Sequence, residues 1–294
     1  MQTSTIKFSQ IEDRVDAEYY KPEYLELEIA LKNSTYLSDV VDISKDKIDP
    51  AKNPDKKFCY LEIDNVNLFT GQIEKQEILG REAPSRARKS IKFGDSIIST
   101  VRPNRNAVGF IDEELLGCIC STGFAVLRPR KILSGYLFAL LKSNIIIDQL
   151  VRLTSAAMYP AVSEEEIANI KIPIPSQSFQ QKIEEMVKEA QKKRKLADEK
   201  YKEAEKILNK ELRLEDLNLS TQKTFETKFS EAEDRLDQEY YQSKYKKIIS
   251  KLKSQKSKLL GEIVKIKKGI EVGHEAYTNE GKPFIRVQDF DEKE

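Results

Sequence analysis

The stretch FSQIEDRVDAEYY at residues 8–20 recurs as FSEAEDRLDQEYY at residues 229–241, with nine of the thirteen positions identical. A fainter echo follows in the same order, because YLSDVVDI (36–43) is answered by LLGEIVKI (259–266). The offset of 221 residues between the two copies is far too long for a solenoid repeat. The sequence therefore predicts a duplicated module, with one full unit followed by the opening of a second, truncated unit.

Bulk composition limits the class of protein. The 294 residues include 39% hydrophobic and 34% charged side chains, and the formal net charge is +1. This hydrophobic share supports a core, and the near-zero net charge means that any basic footprint for nucleic acid must be local. No apolar run reaches the roughly 18 residues of a membrane span, and the start of the chain lacks a signal-peptide pattern. With Cys59, Cys118 and Cys120 predicted as reduced structural thiols, we expect a cytoplasmic protein with no membrane contact.

The residue pattern indicates an α+β fold, in which a globular domain with a small twisted β-sheet and flanking helices precedes a long helix. Apolar periodicity predicts helices over 16–33, with Pro22 in the first turn, and over 134–151. Ser163, with Glu166 three residues later, is typical of a capping box at a helix start. Short apolar or β-branched runs predict strands at 58–63, 96–101, 107–111, 123–127 and 171–175.

The segment from 176 to about 214 contains no glycine or proline and carries dense charge of both signs. It predicts a long coiled-coil helix, because apolar or small residues recur in alternating steps of four and three. The predicted seam consists of Ile183, Val187, Ala190, Arg194, Ala197, Tyr201, Ala204 and Leu208. Its partner helix could lie in this chain at 236–254 or in a second chain, and a lone solvated helix is the alternative.

Motifs for catalysis are missing from the sequence. It contains neither a glycine fingerprint for dinucleotides nor a phosphate-binding P-loop. The single histidine, His274, lies in the second copy, so the first unit cannot hold a Ser-His-Asp or Cys-His arrangement. Cys118 and Cys120 have no histidine nearby to complete a zinc site. We therefore expect a protein that is not an enzyme and that binds no metal or cofactor itself.

A local basic footprint lies at residues 81–105, where seven cations meet only two acidic residues. Lysine and arginine neutralise phosphates, while arginine and asparagine read base edges. A second candidate is the small-residue loop 154–160 with its exposed-type side chains Met158 and Tyr159. An ordinary charged surface is the alternative. The predicted DNA-binding residues are Arg81, Arg86, Arg88, Lys89, Arg102, Asn104, Arg105, Met158 and Tyr159.

Four features together resemble the specificity subunit of type I restriction-modification systems. They are GDSIISTVRPNRNAVGF (94–110), CSTGFAVLRPRK (120–131), SAAMYPAVSEEEIANIKIPIPSQSFQQKIEEMV (155–187) and the tandem half-repeat. Each piece alone is modestly specific, but their order is not easily reached by chance. The resemblance covers essentially the whole chain.

This resemblance implies a division into a DNA target-recognition domain (1–175), a spacer helix (176–220) and the start of a second recognition repeat (221–294). It implies double-stranded DNA, methyltransferase subunits and an endonuclease subunit as partners. S-adenosylmethionine, ATP and Mg are then expected in those partner subunits and not in this chain. Because a second complete domain is not found, the resemblance favours a homodimer through the spacer helix. A non-functional remnant, or a coiled-coil interaction protein without DNA specificity, is the alternative.

Overall fold

The computed structural model describes residues 5–8, 11, 14–154, 159–214, 217, 224–228, 237–255, 257–270, 273–278 and 280–286. The chain divides into two compact units, Met1–Asp198 and Glu199–Glu294. The domain boundaries expected from the sequence stay predictions.

The first unit mixes short strands with helices, which confirms the α+β prediction. Its strands are β1 Thr35–Tyr36, β2 Val41–Ile43, β3 Lys57–Leu61, β4 Gln76–Leu79, β5 Ala87–Ser90, β6 Ser96–Ser99, β7 Val108–Phe110, β8 Ile119–Ser121, β9 Phe124–Pro129 and β10 Lys171–Ile172. Its helices are α1 Pro22–Ala30, α2 Ser134–Leu141, α3 Asn144–Leu153, α4 Glu164–Ala168 and the start of α5 Gln177–Glu211.

Two four-stranded sheets form where the sequence predicted one. Sheet I has the antiparallel order β2-β9-β6-β7, and sheet II has the order β4-β3-β8-β5 with β3 and β8 parallel. A separate two-stranded ribbon pairs β1 with β10. The predicted strand at 171–175 shortens to Lys171–Ile172, because Pro173 and Pro175 lack the N–H that a ladder needs.

Strand β9 explains how the sheets are held together. Phe124 and Val126 join a core that includes Leu61 of sheet II, whereas Ala125 and Leu127 join a core shared with helices α2, α3 and α4. Successive side chains of a strand point to opposite faces. An uninterrupted apolar run therefore indicates a strand that is buried on both faces. In β9, helices cover one face and sheet II covers the other.

The predicted helix at 134–151 is wrong as a single element. It is divided into α2 and α3 at Lys142 and Ser143. The Ser143 hydroxyl donates to the Leu140 carbonyl at 2.6 Å, and this local hydrogen bond competes with continuation of the helix. The chain therefore turns at Lys142 and directs its side chain towards neighbouring loops. The helix predicted at 16–33 is shorter, Pro22–Ala30, with the proline in its first turn as expected.

The prediction of three reduced thiols is also wrong, because Cys59 and Cys118 form a disulfide. Parallel pairing of β3 with β8 places Tyr60 opposite Ile119, so the residues just before them stand 4.5 Å apart at their Cα atoms. Cys120 remains a free, buried thiol, and burial raises its pKa to about 12.

The second unit reproduces the opening of the first. The rings of Tyr240 and Tyr241 meet edge to face at 5.0 Å, as do those of Tyr19 and Tyr20. A helix follows each tyrosine pair, α1 in the first copy and α6 Ser243–Lys253 in the second. A short helix, α7 Leu260–Ile263, comes next. None of the helices in the described residues has both the length and the apolar character required to cross a bilayer.

Candidate nucleic-acid interface

The hairpin of β6 and β7 presents three of the predicted DNA-binding residues, Arg102, Asn104 and Arg105, in its connecting loop. Its strands pair from Ser96 opposite Phe110 to Ile98 opposite Val108, as the strand–turn–strand prediction required. Between them, Pro103–Arg105 form a single 3₁₀ turn that leaves Asn104 and Arg105 exposed. The loop therefore holds a planar amide and a guanidinium at the tip of a hairpin whose base is buried.

Both ends of this turn have left-handed backbone. Arg102 has φ 51° and Asn106 has φ 54°, a region that costs a residue with a side chain roughly 1–2 kcal/mol. Such conformations concentrate at functional sites, where the surrounding structure holds them in place. At Asn106 the holding contacts are visible, because its Nδ2 donates to the Lys142 carbonyl and the Lys142 ammonium donates to the Asn106 carbonyl, both at 3.0 Å.

The end of the second predicted segment, Tyr159 and Pro160, lies against the first. The Arg102 N–H donates to the Pro160 carbonyl at 2.7 Å, and Val101 bridges to Ala161. This places the Arg102 guanidinium 5.7 Å from the centre of the Tyr159 ring, which is 70% exposed. Met158 lies outside the described residues. Two candidates more than fifty positions apart in the sequence thus share one surface.

Arg86 extends the same surface along the sheets. Its carbonyl accepts from the Thr122 N–H, and the Gly123 carbonyl accepts from both the N–H and the hydroxyl of Thr100, all at 2.8–2.9 Å. The turn from β8 to β9 therefore lies between Arg86 and the hairpin loop. In the described part of the chain, no carboxylate pairs with Arg86, Arg102 or Arg105. We call this set, with Asn104 and Tyr159, the cation surface.

Other predicted cations have partners inside the domain. Arg81 forms an ion pair with Asp55 at 2.8 Å, and Arg88 pairs with Asp49 and donates to the Ser85 carbonyl. Their positive charge is largely balanced locally, so their attraction for phosphate is weaker.

Lys89 is a correction to the predicted set. It is only 8% exposed, and its ammonium donates to the Phe124 carbonyl and to the Glu164 carboxylate. The side chains of strand β5 alternate between its two faces, so Lys89 points inward to the first turn of α4, while Arg86, which precedes the strand, is exposed. Lys89 therefore ties β5 to α4, and its ammonium is occupied inside the domain.

Sequence reasoning missed a loop beside the cation surface. The Lys142 ammonium, which donates to Asn106, also donates to the carbonyl of Leu68 in the loop 67–71. This site is half-buried, and burial lowers the pKa of Lys142 to about 8. The signal that could have found the loop is Asn67 with Gly71 four positions later, a pairing typical of a tight turn.

Comparison with known proteins identifies the architecture. Residues 32–206, more than half of the chain, match the family described as Type I restriction modification DNA specificity domain. The chain belongs to this family.

This specificity-domain chain is also similar to several named proteins. It is 27% identical over 150 residues to the type I restriction enzyme HindI specificity subunit of Haemophilus influenzae, which covers 47% of this chain and 33% of the relative. Among solved structures, it is similar to the HsdS subunit from Thermoanaerobacter tengcongensis at 34% identity and TM-score 0.48, over 60% of this chain and 47% of that one. It is also similar to a chain of a type I R-M system studied for complex assembly and conformational transition, at 31% identity and TM-score 0.49, over 66% and 50%. The chain spans about a third to a half of the length of these relatives.

The long helix of this specificity-domain chain has two different faces. One face packs on the first unit: Gln180 is buried and accepts from the Leu133 N–H, and a side chain on Gly135 would lie 2.9 Å from the Glu184 Cα. Further along, Asp198 accepts from Gln72 and Lys195 pairs with Glu114. From Gln180 to Asp198, α5 is therefore attached to the first unit along one side.

This attachment corrects part of the predicted seam. Ile183 and Val187 pack against the core of the first unit, so they belong to the docked face. Five predicted seam residues stay exposed, and Phe179 and Met186 share their side of the helix at 100° per residue. We call these five the free stripe: Ala190, Ala197, Tyr201, Ala204 and Leu208.

Proposed function

We propose that this chain is the sequence-specific DNA-recognition subunit of a type I restriction-modification complex, directing methyltransferase and endonuclease subunits to their target site. The observation that carries the proposal is the convergence of two distant segments on the cation surface. Membership of the specificity-domain family supports DNA as the ligand.

The chemistry of the cation surface suits reading of bases. An exposed arginine donates two hydrogen bonds to the guanine edge in the major groove, and an exposed asparagine donates one hydrogen bond to adenine N7 and accepts one from its N6 amino group. Arg105 and Asn104 are neighbours on one 3₁₀ turn, so they would meet adjacent bases. Arg86, on the flank of this surface, is suited to phosphate contact, which positions the protein without reading sequence.

Methylation and cleavage belong, in this proposal, to partner subunits. No group of three or more histidine, cysteine or carboxylate side chains in the described residues could hold a metal ion. S-adenosylmethionine, ATP and Mg would be bound by the methyltransferase and endonuclease subunits. The chain itself would provide only sequence recognition and a docking platform.

The free stripe supports a second part of the proposal, pairing of two copies through α5. Alanine at every other seam position allows two helices to approach closely, while Tyr201 and Leu208 fill the remaining space. Two identical recognition units would then face DNA with two-fold symmetry, and the target site would be palindromic.

Light scattering of the chain, alone and mixed with its methyltransferase subunit, tests the assembly. We expect a dimer alone, and a dimer with two methyltransferase subunits in the mixture. Leu208→Asp places a charge on the free stripe and should give a monomer. Leu196→Asp is the matched control, because Leu196 is exposed to a similar extent, 54% against 57%, but lies off the stripe.

A wild-type monomer would contradict the pairing of two copies. A monomer that also ignores the methyltransferase subunit would favour the alternative of a non-functional remnant. A dimer that assembles but selects no sequence from random duplex DNA would favour a coiled-coil interaction protein.

A further inference from the structure

The loop 67–71 presents two apolar side chains to solvent beside the cation surface. Phe69 is 78% exposed and Leu68 is 45% exposed, whereas the residues on either side of the loop, Val66 and Ile73, pair across its base. Exposing a phenylalanine to this extent leaves its ring in water without any packing gain. Folding of the domain therefore does not explain why this loop exposes the Phe69 ring, and a binding partner would.

Hydrogen bonds within the loop fix its conformation. The side-chain oxygen of Asn67 accepts from the N–H groups of Phe69 and Thr70 at 3.0 and 2.8 Å, and its carbonyl accepts from the Gly71 N–H at 2.8 Å. Gly71 has φ 73°, and a Cβ there would lie 2.7 Å from the Val108 carbonyl oxygen. The Phe69 ring is therefore presented from a closed turn seated on strand β7.

The ammonium group of Lys142 joins this turn to the hairpin loop between β6 and β7. Lys142 donates to the carbonyl of Leu68 and to that of Asn106, so the two loops are separated by no more than the span of one –NH₃⁺ group. Phe69 is one residue from the first carbonyl, and Arg105 is one residue from the second. The residues that carry an apolar ring and a guanidinium therefore lie on two neighbouring loops.

We propose that Phe69, with Leu68 behind it, is an apolar wedge that stacks on a base step of the DNA duplex next to the base contacted by Arg105. This inference rests on the proposed function. Phenylalanine and leucine wedges partly unstack base steps, and neighbouring cations hold the flanking phosphates while they do so. A base–aromatic stack is tolerant of sequence, so Phe69 would contribute affinity and DNA distortion more than base choice.

The test uses the full chain in complex with its methyltransferase subunit. A duplex enriched by the wild-type complex from a random-sequence library serves as the probe, with a fluorescent adenine analogue placed at each position in turn. We expect Phe69→Ala to weaken binding about tenfold and to remove the fluorescence rise that reports unstacking. Phe69→Trp should preserve both, because it keeps an aromatic face.

Phe93→Ala is the matched control. Phe93 is also an exposed phenylalanine of the first unit, at 56%, but it precedes β6 and so lies at the opposite end of that strand from the hairpin loop. Its removal should leave affinity and fluorescence unchanged.

Three outcomes overturn the inference. If Arg105→Ala weakens binding and Phe69→Ala does not, the wedge is wrong and the proposed function stands. If Phe69→Ala reduces association with the methyltransferase subunit and leaves DNA affinity intact, the loop contacts protein. If the wild-type complex enriches no sequence, the proposed function fails and the wedge fails with it.

Discussion

Two groups of cations lie within the same short stretch of sequence, and the fold treats them in opposite ways. Arg81, Arg88 and Lys89 each meet a carboxylate of the first unit. Arg86, Arg102 and Arg105 meet none among the described residues and lie around the hairpin loop. A local excess of positive charge in the sequence therefore does not by itself locate a DNA-binding surface. The cations that pair with carboxylates of the same protein have to be left out of the count first.

The largest expected effect is on stability, at the buried member of the paired group. Lys89→Met removes the ammonium and leaves the Glu164 carboxylate and the Phe124 carbonyl without their donor. We expect the free energy of unfolding to fall by about 2–3 kcal/mol, measured by urea denaturation. Lys92→Met is the control: its ion pair with Asp46 is exposed, so the change should stay below about 0.5 kcal/mol. Equal losses in both variants would contradict the structural role of Lys89.

The next effect is on DNA affinity, in the unpaired group. Arg102→Ala and Arg105→Ala should each weaken specific DNA binding by about 1–3 kcal/mol and relax the preference for the contacted base. Stability should be unaffected by Arg105→Ala, because its side chain is exposed. Fluorescence anisotropy with specific and shuffled duplexes measures both quantities. An unchanged sequence preference would remove this loop from the proposed interface.

The smallest effect separates two exposed arginines, Arg86 and Arg81. Arg86→Ala should weaken binding to specific and shuffled duplexes equally and lower the slope of log affinity against log salt by about 1, because a phosphate contact is lost. Arg81→Ala should leave that slope unchanged, because the guanidinium is already paired with Asp55. If the two slopes change equally, pairing inside the protein does not decide which arginines meet DNA.

Local features of the fold were predictable because they depend on nearby residues. The β6–β7 hairpin, the Ser163 capping box and the long α5 helix each follow from turn residues, a capping pair or an unbroken charged run. The second sheet was not predictable, because an apolar run such as β9 does not say which elements cover its two faces. The disulfide depends on the pairing of β3 with β8, strands separated by nearly sixty residues of chain.

In the candidate site, too, the residue types were predictable from the sequence, and the contacts between distant segments were not. Loop 101–106 and Tyr159 were each recognisable by residue type, but their contact depends on the bridge from Val101 to Ala161. Lys89 and Arg105 are both cations of the same basic stretch of sequence. Lys89 is buried because it lies on the inward face of strand β5, and Arg105 is exposed in the hairpin loop. Lys142 could not be found at all, because the broken helix that directs it was predicted to be continuous.

The contact of α5 with Gly135 controls the tilt of the helix on the first unit. Within that unit, helix α5 continues for 14 residues from Glu184 to Asp198, which is about 21 Å at 1.5 Å per residue. Over that length, each degree of tilt at Gly135 moves the Asp198 end of the segment by about 0.4 Å. A methyl group at position 135 would lie 2.9 Å from the Glu184 Cα and push the helix outward. The hydrogen bond from Gln72 to Asp198 and the ion pair of Lys195 with Glu114 would then lengthen, although none of these four residues had changed.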